Sequence, residues 1–253
     1  MDIVIHKRPP LEEFHLKALF YGEPGVGKTV LAASAQKSKS LGPVLFGNAD
    51  KGTLSLAGMD LDITEINDLQ SLARVLRFLR DGKHSYKTFV LDSITEMYQM
   101  AIESIVQQKV KNAKSGGRSL DDVYQEDYGE MTSALRRAGK VLRELPMHVI
   151  ITAHSQSWQD ENSVERVVPA MTPRLRQHIV GFMDVVGYLY TSNIEEENEK
   201  GEKVKRIQRK LLAQPVGKYM AKDRTPGGKL GTVVEDPTMS KIWRLIAATK
   251  QEK

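Results

Sequence analysis

The stretch Gly22-Glu23-Pro24-Gly25-Val26-Gly27-Lys28-Thr29 constrains this chain more than any other. Its spacing is G-x-x-x-x-G-K-[ST], the loop that cradles phosphates. Glycines let the backbone turn tightly and keep side chains away from its N–H groups. A helix leaving the loop adds the positive end of its dipole. Lys28 is placed to reach the β- and γ-phosphates of ATP, and the Thr29 hydroxyl to bind Mg²⁺. The flanks favour this reading over a plain Gly/Pro-rich turn. Residues 16–21 read as a buried strand entering the loop, and residues 30–35 as the helix leaving it. The expected nucleotide contacts are Gly22, Glu23, Pro24, Gly25, Val26, Gly27, Lys28, Thr29 and Val30.

The rest of the chain alternates strand and helix, which predicts an α/β domain with a mainly parallel sheet and helices on both faces. Residues 43–47, 61–66 and 87–92 read as strands. Asp68 is placed to N-cap a helix carrying Leu69, Leu72, Leu76 and Leu79, closed by Asp81-Gly82. Helical spacing runs from Ile94 to Val106, and again from Tyr124 to Leu145, where Pro146 stops it. Residues 147–153 are an apolar run of the kind buried on both faces of a parallel sheet. Residues 155–171 read as a mobile loop, followed by a short helix. A late β-hairpin spans 185–214 around a charged turn, residues 222–237 are irregular, and a helix runs from Met239 to Thr249. Residues 1–15 are a lead-in with a short strand at Ile3-Val4-Ile5. There are no repeats and no interdomain linker, so 1–253 reads as one domain.

The sequence contains no cysteine, which excludes disulfides, thiolate zinc sites and cysteine catalysis and is compatible with a reducing cytoplasm. No apolar run approaches the ~20 residues needed to span a bilayer, so no membrane partner is expected. The first seven residues hold too short an apolar stretch for a signal peptide. The net charge of +5 is unevenly placed. Lys109, Lys111, Lys114 and Arg118 have no acid between them. A second cluster holds Lys200, Lys203, Lys205, Arg206, Arg209 and Lys210 and continues to Lys218, Lys222, Arg224 and Lys229. Such clusters are either a solvated surface or a footprint for nucleic acid.

A phosphate loop needs a second carboxylate for Mg²⁺, at the end of a neighbouring buried strand. Phe89-Val90-Leu91-Asp92 supplies it, with Asp92 as metal ligand and Thr29 as its partner. Hydrolysis also needs a group that orients water. The position after Asp92 is Ser93 rather than glutamate, which argues against AAA+ and transporter-type arrangements. Asp50, after the second strand, is the candidate, with Glu96 a weaker one. His154, at the end of the strand 147–153, is placed to sense the γ-phosphate.

Together these features resemble the RecA-like recombinase superfamily, over roughly residues 14–225. The nearest likeness is to phage-encoded, core-only RecA-like ATPases that include single-strand annealing proteins. Thr152-Ala153-His154, Asp184-Val185-Val186 and Lys222-Asp223-Arg224 carry it most specifically. The resemblance implies a RecA-like P-loop NTPase fold and ATP at a subunit interface of a ring or filament. It implies that Lys222 and Arg224 reach a neighbour's γ-phosphate, which makes 222–253 a finger segment plus helix. Asp50 stands where recombinases carry glutamate, and its shorter arm argues against fast intrinsic turnover.

Single-stranded DNA contacts are then expected from 109–118, with Lys109, Lys111, Lys114 and Arg118, and from 155–176, with Trp158, Arg166, Arg174 and Arg176. Trp158 either stacks on a base or anchors its loop to the core. Lys205, Arg206 and Arg209 add an electrostatic surface. The implied setting is a bacterial host cytoplasm, and the implied function is ATP-dependent annealing or recombination, alone or with a single-strand binding protein or another replication or recombination protein. The alternative is a nucleotide-switched ATPase that loads or regulates a protein partner such as a replicative helicase. A small-molecule kinase is disfavoured, because no arginine-rich lid separates the phosphate-site elements.

Overall fold

A computed structural model describes residues 14–112, 119–159, 161–197 and 203–248. The expected strand at Ile3-Val4-Ile5, and Lys114 and Arg118 of the basic loop, lie outside these residues.

The first strand, β1 (Lys17–Gly22), is buried along its whole length. It runs into the phosphate loop and then into α1 (Lys28–Ala33), which tightens into a 3-10 turn over Ser34–Lys37. The next strands are β2 (Val44–Asn48), β3 (Asp62–Glu65) and β4 (Thr88–Asp92). Asp68 caps α2 (Leu69–Asp81) as expected, accepting from the Ser71 backbone N–H at 2.6 Å, and Gly82 ends it in the left-handed region. The helices α3 (Ile94–Asn112) and α4 (Gln125–Glu144) follow.

The apolar run 147–153 forms the core of β5 (His148–Gln159), and a short helix, α5 (Pro173–Phe182), follows as expected. Residues 155–171 are not the mobile loop that their composition suggests. β5 continues through Gln159 and returns as β6 (Glu165–Pro169), with Ser155 opposite Pro169 and Trp158 opposite Arg166. Cross-strand pairing supplies order that a single strand's polarity does not advertise. The late hairpin is β7 (Val185–Glu197) against β8 (Lys203–Leu212). The stretch 222–237 contains two short strands, β9 (Lys222–Asp223) and β10 (Val233–Glu235), and α6 (Met239–Ala247) closes the described chain.

The sheet runs β10-β8-β7-β1-β5-β4-β2-β3, with β6 on β5 and β9 on β7. From β7 to β3 the pairings along this path are parallel, whereas β8 and β10 are antiparallel. One face packs Leu19 and Tyr21 against α2, α3, α4 and α5. The other packs Ala18 and Phe20 against α1 and α6. Burial on both faces explains why β1 and β5 carry apolar runs rather than an alternating pattern. The expected α/β architecture is therefore the observed one. Because the central strands are parallel, Gly22, Asn48, Asp92 and His154 meet at one end: Gly22 is level with His154, and Asn48 with Asp92. Among the described residues, no helix is long and apolar enough to cross a membrane.

Candidate nucleotide site

The phosphate loop is built by close backbone approach. A Cβ on Gly22 would lie 2.3 Å from the Leu189 carbonyl oxygen of β7, so only glycine fits there. Gly27 precedes α1 with φ 97°, a conformation that side chains resist. Lys28 is buried and curls over the loop, its Nζ donating to the carbonyls of Gly22 at 3.0 Å and Glu23 at 2.9 Å. Burial lowers its pKa, while the carboxylates of Asp92, Asp50 and Glu23 oppose that shift.

Asp92 ends β4, 2% exposed. The Thr29 hydroxyl donates to its Oδ2 at 2.8 Å, and the Thr152 hydroxyl donates to its Oδ1. Desolvation raises the Asp92 pKa, the Asp50 charge adds to the rise, and the two threonine hydrogen bonds and Lys28 oppose it. A buried carboxylate with this tendency is suited to a counter-cation. The Thr29 and Asp92 oxygens also lie at a spacing close to the about 2.9 Å between adjacent oxygens of an octahedral Mg²⁺ shell. These residues fit the ion, with Thr29 and Asp92 as the groups that would hold it.

Asp50 follows β2, and its backbone N–H donates to the Asp92 carbonyl at 3.0 Å. That bond ties the candidate water-orienting residue to the strand that carries the candidate metal ligand. His154 Nε2 lies 4.0 Å from Asp50 Oδ2. Asp50, Glu96 and His154 each place one ligating atom within 4.8 Å of the others. The set can orient a water or hold a divalent cation. The other His154 ring nitrogen is buried without a hydrogen-bond partner among the described residues. The Ser155 hydroxyl donates to the Glu23 carboxylate, which links the phosphate loop to the start of the β5–β6 hairpin.

Several basic residues are placed differently from expectation. Lys109 is ion-paired within the chain: its ammonium lies 3.3, 2.9 and 2.6 Å from Glu126, Asp127 and Glu130. The run 109–118 contains no acid, but α4 packs its carboxylates against it, and these raise the Lys109 pKa. Arg176 is 4% exposed, and its guanidinium lies 4.8 Å over the Trp158 ring. That pair anchors the β5–β6 hairpin: Arg176 is engaged on one face of the Trp158 ring, and Trp158 itself is half-buried. Arg206 is ion-paired to Glu196 at 2.9 Å and Asp236 at 3.2 Å. Lys222 is not a free finger: its Nζ donates to the Val180 and Met183 carbonyls at the end of α5. Lys111, Arg174, Lys205 and Arg224 are exposed, as is Arg166, which pairs across the hairpin with Trp158.

Two positions gain a role that the sequence reading had not assigned. Thr152, fully buried, bonds to Asp92; the sequence marks it as a hydroxyl inside an apolar strand and as part of the Thr152-Ala153-His154 resemblance, without a partner. Arg209, expected on a DNA surface, projects against Gly27 of the phosphate loop. Nothing local announces that, because it depends on the β7–β8 register.

No functionally curated relative matches the sequence. Among solved structures, a DnaB-like replicative helicase is 14% identical, with 87% of this chain and 54% of that one covered and a TM-score of 0.45. A KaiC-like protein from the hyperthermophilic archaeon Pyrococcus horikoshii is 16% identical over 78% of each chain, with a TM-score of 0.42. The RadB recombinase is 15% identical over 78% of this chain and 79% of that one, with a TM-score of 0.42. A family model described as an AAA domain matches residues 15–225, from just before β1 to just past Arg224. The match takes in the phosphate loop, Asp92 and the hairpin, and the chain belongs to this AAA-domain family.

Proposed function

We propose that this chain binds and hydrolyses ATP, assembles with copies of itself, and grips single-stranded DNA to promote annealing or recombination. The carrying observation is the joined set Thr29–Asp92–Thr152 beside Lys28, with Asp50 and His154 on the same sheet end. Bound Mg²⁺ would neutralise charge on the β- and γ-phosphates. Lys28 holds the phosphate chain, Asp92 and Thr29 supply oxygen ligands, and Asp50 orients the attacking water. His154, bonded through its backbone N–H to Thr95, reports the γ-phosphate to the β5–β6 hairpin.

Arg224 serves the neighbouring subunit in this reading. It directly follows β9, whose Asp223 pairs with Val185 at the start of β7, level with Ala18 of β1, four residues before the loop. Four strand residues span about 13 Å, which keeps it away from its own phosphates. Exposed Lys111, Arg174 and Lys205 supply contacts to a DNA backbone.

The decisive measurement is the ATPase rate with and without single-stranded DNA, together with the salt dependence of DNA binding. Binding that falls with a log–log slope of about −0.7 per neutralised phosphate supports the reading. Salt-insensitive binding, or none, removes its DNA half. One observation favours the second reading, a nucleotide-switched loader of a protein partner: Lys109, Arg176 and Trp158 are engaged within the chain. A partner retained in an ATP-dependent, DNA-free complex selects that reading.

A further inference from the structure

The structure assigns to Arg209 a place in the chain's own nucleotide site, as a second cation for the phosphate chain beside Lys28. A Cβ built on Gly27 would lie 2.8 Å from Arg209 Nε and 3.3 Å from the guanidinium carbon. The guanidinium therefore packs on the glycine that precedes Lys28. It arrives from the β7–β8 side of β1, whereas Asp92, Asp50 and His154 stand on the β5–β4–β2 side. The two cations thus flank the loop.

Arg209 is placed there by its backbone, and its charge is unemployed. In the sheet it is opposite Thr191 of β7, two residues beyond the Leu189 carbonyl that abuts Gly22. Its carbonyl accepts from the Asp236 backbone N–H at 2.7 Å. Its neighbours on β8 are neutralised: Arg206 pairs with Glu196 and Asp236, and Lys210 with Glu235 at 3.5 Å. Among the described residues no carboxylate pairs with Arg209, and the sequence from 203 to 213 around it contains no acid. An exposed guanidinium in contact with a phosphate loop, with no protein anion of its own, is an incomplete anion site. Its planar fork suits phosphate oxygens.

This inference rests on the ATP-binding reading, and the test separates the two. Full-length protein is titrated by calorimetry with Mg²⁺ and a nonhydrolysable ATP analogue, then with inorganic tripolyphosphate. Arg209→Ala is expected to weaken both about tenfold, the loss of one charge-assisted contact. Arg209→Lys should recover most of the loss, and Lys241→Ala on α6 should bind as the natural chain does. Equal binding by Arg209→Ala overturns the assignment while the ATP reading stands. A loss for the ATP analogue without one for tripolyphosphate overturns the phosphate contact in favour of base or ribose. An equal loss in Lys241→Ala overturns it in favour of diffuse charge. Failure of the natural chain to bind either probe overturns both readings. Circular dichroism confirms that the exposed substitution leaves the fold intact.

Discussion

The Thr29 hydroxyl donates to Asp92 Oδ2 at 2.8 Å, joining positions 63 residues apart. One partner leaves the phosphate loop and the other ends a strand two places away in the sheet. Each therefore needs the other's element to be correctly placed. Thr152, on the strand between β4 and β1, holds the second carboxylate oxygen.

Asp92→Asn is expected to reduce Mg²⁺-dependent ATP turnover on the order of 100-fold or more, because it removes a charge aimed at the metal. In metal-free buffer the same variant should melt above the natural chain at neutral pH. Burial raises the Asp92 pKa, so the folded state binds its proton more tightly than the unfolded chain does. The stability that this proton confers is complete below the unfolded-state pKa and is lost as pH rises through the folded one. The variant's advantage should vanish in acid, where both states are protonated; thermal melts at both pH values check this.

His148 gives the opposite slope. It is 6% exposed, accepts the Leu16 backbone N–H on Nδ1 at 3.0 Å and meets Trp243 edge-on. Burial, aided by His15, Lys17 and Lys87, lowers its pKa to about 4. Between the ordinary histidine value and about 4 the unfolded chain binds more protons, so stability falls as pH falls through that window. The shift corresponds to about 3 kcal/mol. His148→Asn keeps an acceptor for Leu16 and should flatten this part of a urea-unfolding profile. An unchanged slope would place the pH dependence elsewhere.

Lys222 and Arg224 should separate by phenotype. Lys222→Ala removes the donor to two α5 carbonyls and should cost about 1–3 kcal/mol of stability. Arg224 makes one long bond, 3.4 Å to the Gly181 carbonyl, so Arg224→Ala should leave stability near that of the natural chain. If Arg224 acts across a subunit boundary, Lys28→Ala and Arg224→Ala proteins are each inactive, and their mixture regains part of the ATPase rate. A mixture that oligomerises and stays inactive rejects the trans role.

Trp158 should report on the hairpin rather than on DNA. Its ring is covered by Arg176 at 4.8 Å. In a Trp243→Phe background, adding single-stranded DNA should leave the emission of Trp158 unchanged, whereas Arg176→Ala should shift it. Strong quenching by DNA would show that the ring leaves its partner and stacks on a base.

Much of the site was legible along the chain. The phosphate loop and Asp92 are marked by local pattern, because a glycine-bounded loop and a carboxylate closing an apolar strand announce themselves by neighbours alone. The helix cap at Asp68 and the turn at Gly82 are equally local. The β5–β6 hairpin was missed because its order comes from pairing between segments, and its polar residues resemble a loop when read singly.

Residue order alone specifies the chemistry on offer: a phosphate loop, a candidate metal-binding carboxylate, alternating strands and helices, and an excess of positive charge. Where that charge is usable depends on packing between distant segments. Lys109 met three carboxylates from α4, Arg176 met Trp158, Lys222 met the end of α5, and Arg209 met the phosphate loop. The reason is physical. A backbone's turn or strand is set by residues beside it in the chain, whereas the availability of a charge is set by whatever the fold brings within a few ångströms.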